Sequence, residues 1–196
     1  LRNVTLSLWQ RGKKKPVYRE LGEMLFTHFG VSGPLVLSAS TYLERDIGEY
    51  RLTIDLKPGL DAGALDTRLR RDLEEYRAKD ILNALVDLLP KSIIPVMLDL
   101  CGLDARRKAH QITREEREVL VKTIKSVPLT PTGVRPIEEA VITAGGVKTS
   151  EVDPRTMASK LVEGLFFAGE VLDVDARTGG FNLQIAFSTG YVAGNN

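Results

Sequence analysis

The sequence has little of what most side-chain catalysis draws on. It carries one cysteine and two histidines in 196 residues. A single cysteine excludes an internal disulfide and a cysteine metal cluster. Cys101 lies among apolar residues at a helix end, so it reads as a small buried hydrophobe rather than a nucleophile. Charge of one sign is also lacking: 27 Lys and Arg stand against 26 Asp and Glu, for a net charge of +1. That balance gives no electrostatic footprint for nucleic acid or an anionic membrane, so neither is expected as a partner. No apolar run is long enough to span a membrane, and no signal peptide is visible. The lone thiol fits a reducing cytoplasm, where the protein is expected. Aromatics are few, with one tryptophan, Trp9.

What is present is a change of period. Asn3 to Gln10 alternates, with Val4, Leu6 and Leu8 on one side and Thr5, Ser7 and Trp9 on the other, which predicts a half-buried strand. Trp9 is expected to cover neighbouring strands at the rim. Gly12 to Lys15 makes a turn, its three lysines a solvated tip. Val17 to Phe26 returns as a strand interrupted by Gly22. Ser32 as cap and Pro34 in the first turn predict a helix to about Glu44. Arg51 to Lys57 alternates again, with Leu52, Ile54 and Leu56 inward, and Pro58-Gly59 ends it.

From Asp61 the spacing becomes helical. Asp61 caps Leu65, Leu69, Leu73 and Tyr76. Asp80 opens a second helix that Pro90 stops. Ser92 opens a third, with Met97 and Leu100 inward and Gly102 at its end. Thr113 and Glu116 form a capping box for a fourth, with Leu120, Ile124 and Val127 on one face. Strand character then returns at Pro128–Thr132 and Glu138–Thr143. These strands are expected to rejoin the first three in one sheet or barrel. Thr156–Lys160 reads as a further short strand.

The C-terminal stretch is the most pointed. Leu165–Ala168 reads as a buried strand, Gly169–Gly180 as a glycine-rich loop, and Phe181 onward as a helix without charge. Strand, glycine-rich loop and helix start suit an anion or cofactor, because glycines admit close approach and the helix start offers unpaired N–H groups. The same pattern also suits a core helix behind a turn. Phe181, Leu183, Ile185, Phe187, Tyr191 and Val192 go round the helix, so burial on most sides is expected. Ala186, Gly190 and Gly194 give it one small-residue face.

The segment AGEVLDVDARTGGFNLQIAFSTGYVAG resembles the C-terminal flavin-binding segment of the BaiN-like NAD(P)/FAD-dependent oxidoreductases. GEMLFTHFGVSGPLVLSAS (Gly22 to Ser40) and PLTPTGVRPIEEAVITAGGV (Pro128 to Val147) resemble the same family, in the family's order. The resemblance implies an α+β chain. A β-barrel or sheet subdomain (1–58 and 127–147) is interrupted by a helical bundle (59–126) and followed by the C-terminal part of an α/β FAD-binding domain (148–196). It implies FAD, with NAD(P)H as reductant and a small-molecule substrate. Gly169 and Glu170 would lie near the ribityl and phosphate region. Thr178, Gly179, Gly180, Phe181 and Asn182 would lie at the pyrimidine edge of the ring, and Gly145-Gly146 nearby. The G-x-G-x-x-G strand–turn–helix of such enzymes is absent. The chain is therefore expected to be part of a longer flavoprotein. Its partner would be the missing N-terminal Rossmann part, with self-association through the last helix as a substitute. Ala176-Arg177 stands where the family pattern suggests glycine.

No side chain emerges as acid, base or nucleophile, so the catalytic residues stay unassigned. His28 has no carboxylate beside it in sequence and reads as a loop histidine bonded to backbone. His110 lies between arginines and reads as exposed. Asp173 and Asp175 do not continue as a calcium loop, since Arg177 and Thr178 follow, so no metal is expected. The competing reading is a non-catalytic lid or interaction module.

Overall fold

The computed structural model describes residues 1–44 and 46–196. The chain divides into two compact units, Leu1–Thr132 and Gly133–Asn196. No helix among the described residues is long and apolar enough to cross a membrane.

The first unit is built on an antiparallel sheet. Strand β1 (Val4–Gln10) pairs on one edge with β2 (Tyr18–Gly22) and on the other with β5 (Tyr50–Asp55). Strand β6 (Val127–Leu129) pairs with β5, placing Ile54 opposite Val127. The order is β2-β1-β5-β6. Val4, Leu6 and Leu8 of β1 and Leu52 and Ile54 of β5 are buried, as the alternation requires. Trp9 bridges to the next strand, its indole N–H donating to Thr53 Oγ1 at 2.9 Å, and Arg51 lies over its ring.

The segment after β2 departs from the single expected strand. Leu25–Thr27 (β3) and Gly30–Ser32 (β4) form their own small hairpin. Helix α1 (Pro34–Ser40) follows with Pro34 in its first turn, but its cap position is Gly33, not Ser32. A Cβ at Gly33 would lie 3.0 Å from the Met24 Cα, so the close crossing of two backbones selects glycine there. The helix stops near Ser40 rather than Glu44. Ser40 and Thr41 both turn their hydroxyls back onto carbonyls of the last turn.

Between β5 and β6 the chain is helical. Helix α2 (Ala62–Glu75) is capped by Asp61, whose carboxylate accepts from Ala64 N at 2.7 Å. Its Leu65, Leu69 and Leu73 are buried. Helix α3 (Ile81–Ala84) is short, and its cap residue Asp80 spends its carboxylate on Lys108 instead. Helix α4 (Ile94–Leu100) begins two residues after the expected Ser92; Met97 is buried but Leu100 is exposed. Helix α5 (Arg114–Lys125) opens on the Thr113–Glu116 capping box and buries Leu120 and Ile124. The core runs without a break from the sheet into these helices.

Where the helices leave and rejoin the sheet, one side chain ties the junction. The Lys125 ammonium lies 2.6 Å from the Asp55 carboxylate and donates to the carbonyls of Lys57 (2.9 Å) and Leu60 (2.6 Å). Leu56 N–H donates to Ile124 O.

The second unit corrects three expectations. Glu138–Thr143 is not a strand: Ile137–Glu139 is a single 3-10 turn, and the Pro131, Gly133 and Pro136 punctuation ahead of it favours irregular backbone. Of the two strands expected to rejoin the sheet the first does so, as Val127–Leu129, and residues 133–147 group with the second unit. Leu165–Ala168 and Thr156–Lys160 make only isolated bridges, Ala158 with Phe166 and Val152 with Ser159. Helix α6 (Phe181–Gly194) has no buried residue. Its half-buried stripe is Asn182, Ile185, Ala186, Thr189, Val192 and Ala193, while Phe181, Leu183, Phe187 and Tyr191 are 58–74% exposed. Of the expected small-residue face only Ala186 lies in that stripe. The unit's buried cluster is Val152, Met157 and Leu172, too small to wrap an all-round apolar helix.

Two outcomes follow for stability. Lys125→Ala leaves Asp55 and two carbonyls without their cation. It should cost about 2 kcal/mol, read by denaturant unfolding through Trp9 fluorescence. A loss of under a few tenths would show that the junction is not held there. Glu116 is held below the ordinary carboxylate value, first by its hydrogen bond to Arg107 and then by the Thr113 N–H. A depressed carboxylate stabilises the fold above the unfolded-state value and loses that contribution as pH falls through the folded one. The wild-type chain should therefore lose stability on acidification below about pH 4.5, starting from the unperturbed value of 4.5. Glu116→Gln should flatten that limb.

Candidate functional site

The glycine-rich segments meet within the second unit. Gly145-Gly146-Val147 runs alongside Val171–Asp173. Val147 N–H donates to Val171 O at 2.8 Å, and Asp173 N–H donates to Val147 O at 2.9 Å. Gly145 N–H donates to the Asp173 carboxylate at 3.2 Å. Gly146 has φ 146°, and a Cβ on it would lie 2.5 Å from Val171 O and 2.9 Å from Leu172 C. That glycine is therefore explained by backbone packing against 171–173. Beside it opens a cleft of about 360 Å³ with Lys148, Glu151, Ser159, Leu165 and Phe167 in its walls.

Gly169–Val171 forms a 3-10 turn that docks on the middle of α6. Gly169 N–H donates to Thr189 Oγ1 at 2.9 Å, and a Cβ on Gly169 would just touch Ala186. The Gly169 N–H is thus taken by the fold, while Glu170 is exposed.

The loop then runs to the start of α6, where Asn182 clamps it. Its side-chain oxygen accepts from Ala176 N–H at 2.7 Å and its amide donates to Ala176 O at 2.9 Å. Both ends of that side chain are used within the loop. Sequence reasoning singled out Asn182 and missed this clamp, as it missed Thr189. The signal was available: positions 182 and 189 are seven apart, so two polar side chains share one stripe of an otherwise apolar helix.

Thr178, Gly179 and Gly180 are exposed. Gly180 is the cap residue at φ 86°, a left-handed conformation that glycine adopts without penalty. No side chain caps the helix there, and a Cβ on Gly180 would meet nothing within 4 Å. The first bond into α6 runs from Gln184 N–H to Gly180 O. The N–H groups of the first turn have no partner within a helix, and they carry its positive end. Chemically this start offers donors and open space to an electron-rich edge.

The histidines lie elsewhere. His28 is exposed on the β3–β4 hairpin against Phe29, and His110 bonds through Nδ1 to Arg77 O at 2.7 Å. Cys101 is half-buried, and burial pushes its thiol above the usual range, which disfavours a thiolate nucleophile.

The first unit is thus a sheet that opens into an inserted helical bundle and closes again. Residues 1–142 match the HI0933-like protein barrel and H2TH domain, and the chain belongs to that family. It is 32% identical over 178 residues to the 3-dehydro-bile acid delta(4,6)-reductase of Clostridium scindens, covering 89% of this chain and 44% of that protein. It is 35% identical over 175 residues to the ribosomal RNA dihydrouridine synthase of Escherichia coli, covering 89% and 42%. The enzyme of that name in Haemophilus influenzae is 34% identical over 169 residues, covering 86% and 40%. The chain spans less than half the length of these relatives.

Gly146→Ala should separate the two glycine roles. The clash is with backbone, which has no rotamer to escape into. Hydrogen-exchange protection at Val147 and Asp173 should drop, while Trp9-monitored unfolding of the first unit stays unchanged. Retained protection at both amides would refute the packing account of Gly146.

Proposed function

We propose that this chain is the barrel, helical and C-terminal part of a cytoplasmic, flavin-dependent oxidoreductase that uses FAD and NAD(P)H to saturate a carbon–carbon double bond in a ring substrate. The observation that carries the reading is the start of α6. It is uncapped, left-handed at Gly180, and open where a side chain would otherwise stand. Bound there, the flavin would supply the hydride. The chain's own part would be to present the backbone N–H groups at Gly179–Asn182 to the electron-rich ring edge, where the helix start stabilises negative charge. Gly169–Glu170 lies beside Thr189 of the same helix, nine residues from Gly180. That is roughly 13 Å along the axis, a spacing that suits an elongated ligand rather than a point anion. Asn182 would hold the loop in shape, and Gly145-Gly146 would support it from behind.

The relatives' names support the reaction class, since both denote adding hydrogen to an unsaturated ring. They give two substrate classes. One is a small ring ketone, which the family resemblance suggests, and the other is a base of ribosomal RNA. The exposed side of α6 supports a further domain of the same protein as its cover.

The test uses a longer protein containing this chain. Its visible spectrum should show flavin bands, and Gly180→Val should lower the flavin-to-protein ratio while the first unit stays folded. A colourless protein would favour the lid or interaction module. This chain alone should bind FAD weakly and self-associate through α6. Micromolar or tighter FAD binding by a monomer would sink that expectation.

A further inference from the structure

One reversal in the second unit departs from its own turn chemistry. Asp153-Pro154 is the sequence of a type I turn, which favours Asp at the first position and Pro at the second. The Asp153 carboxylate accepts from Arg155 N–H at 2.9 Å, and the Asp153 carbonyl from Met157 N–H at 2.7 Å. Asp153 N–H donates to Ala158 O at 2.9 Å and closes the reversal. A type I turn closed in this way is followed by a residue in the left-handed region, where glycine is usual. The residue here is Met157, at φ 63°. Among the described residues Asn3 is the other non-glycine with a positive φ, and asparagine tolerates that region. Methionine is strained there.

The strain keeps a side chain where glycine would leave none. Met157 is 8% exposed and is one of the three residues of the unit's buried cluster, with Val152 and Leu172. Val192 and Ala193 of α6 pack against that cluster. The Met157 carbonyl acts in another direction, accepting from Phe167 N–H at 2.9 Å. Phe167 precedes the Gly169–Val171 turn and Leu172 follows it. Met157 therefore holds both ends of that turn, one through its carbonyl and one through its side chain. The same cluster seats the turn on α6, where Gly169 N–H meets Thr189 Oγ1.

We propose that Met157 is a positioning residue: it sets where the Gly169–Glu170 turn stands on α6 and, through that turn, how the flavin sits. On the functional reading above, on which this rests, Gly169–Glu170 lies beside the cofactor. Glycine at 157 would relax the backbone but leave the turn without its support. Alanine would keep the strain and lose most of the support. Leucine keeps the volume. Loss of a residue that only fills a core is felt throughout its unit, whereas loss of a turn's support is felt at the turn.

The test follows amide hydrogen exchange by NMR in the purified chain. In Met157→Gly the Gly169 amide should exchange about tenfold faster or more, and in Met157→Leu it should stay near wild type. The Ala176 amide, which Asn182 holds, reports whether the unit is still folded and should keep its protection. Met157→Ala takes the place of Met157→Gly if that variant loses Ala176 protection too. In the longer protein, Met157→Gly should lower the flavin-to-protein ratio and shift the visible band of the flavin that stays bound, and Met157→Leu should do neither. An unchanged Gly169 amide in Met157→Gly overturns the proposal, as does a Met157→Leu variant as loose as Met157→Gly. Equal loss at Gly169 and Ala176 in both Met157→Gly and Met157→Ala also overturns it, since Met157 is then a core residue alone. A loosened turn with an unmoved flavin band overturns it as well, because the turn then does not reach the cofactor. A wild-type longer protein without flavin ends the functional reading instead, and the exchange result then decides whether Met157 sets the turn.

Discussion

The first unit depends on how a helical bundle of four segments can interrupt a sheet without opening it. The ladder alone gives little: β6 offers three residues to β5. The added grip is at the junction, where the Lys125 ammonium reaches Asp55, Lys57 O and Leu60 O. All three acceptors belong to the segment by which the chain leaves the sheet, and the donor sits just before its return. A charge-assisted contact of this kind fixes both ends of the excursion at one point. The continuous core then lets the bundle share the sheet's hydrophobic stability, which its own few helices would not supply alone.

The second unit has the opposite problem. Its buried cluster is three side chains, and α6 exposes Phe181, Leu183, Phe187 and Tyr191. Polar bonds hold its geometry instead: Thr189 to Gly169, Asn182 to Ala176, and Asp173 to Gly145. Such bonds position a loop well but add little net stability each, about 1 kcal/mol. A segment shaped by polar bonds and short of apolar cover is suited to completion by another surface.

Legibility in the sequence tracked how local each cause was. The alternation in β1 and β5, the Asp61 cap and the Thr113–Glu116 box act within a few residues, and the structure has them where the sequence puts them. Gly33 in place of Ser32 as the α1 cap was not legible, because its cause is the Met24 backbone nine residues away. The strand expected at Glu138–Thr143 failed although, among the described residues, the sheet's outer edges at β2 and β6 stay open; the Pro131, Gly133 and Pro136 run leads instead into a 3-10 turn at Ile137–Glu139. In the site, the glycines were visible and Asn182 was singled out, but the bonds by which Asn182 and Thr189 anchor the loop were missed, although the two share one stripe of an apolar helix. An isolated polar residue on an apolar helix shows its purpose only once its partner loop is in place.

The glycines themselves divide on physical grounds that sequence cannot supply. A Cβ at Gly146 would strike the backbone of 171–173, so that glycine is required by the fold whether or not a ligand exists. A Cβ at Gly180 would strike nothing. Open space alone does not mark a ligand site, since Gly12 in the β1–β2 turn has the same freedom. What sets Gly180 apart is its position at a helix start that no side chain caps. There a left-handed backbone would be strained by any residue that carried a Cβ. Gly146 is thus required by its packing against 171–173, and Gly180 by the left-handed backbone that starts α6.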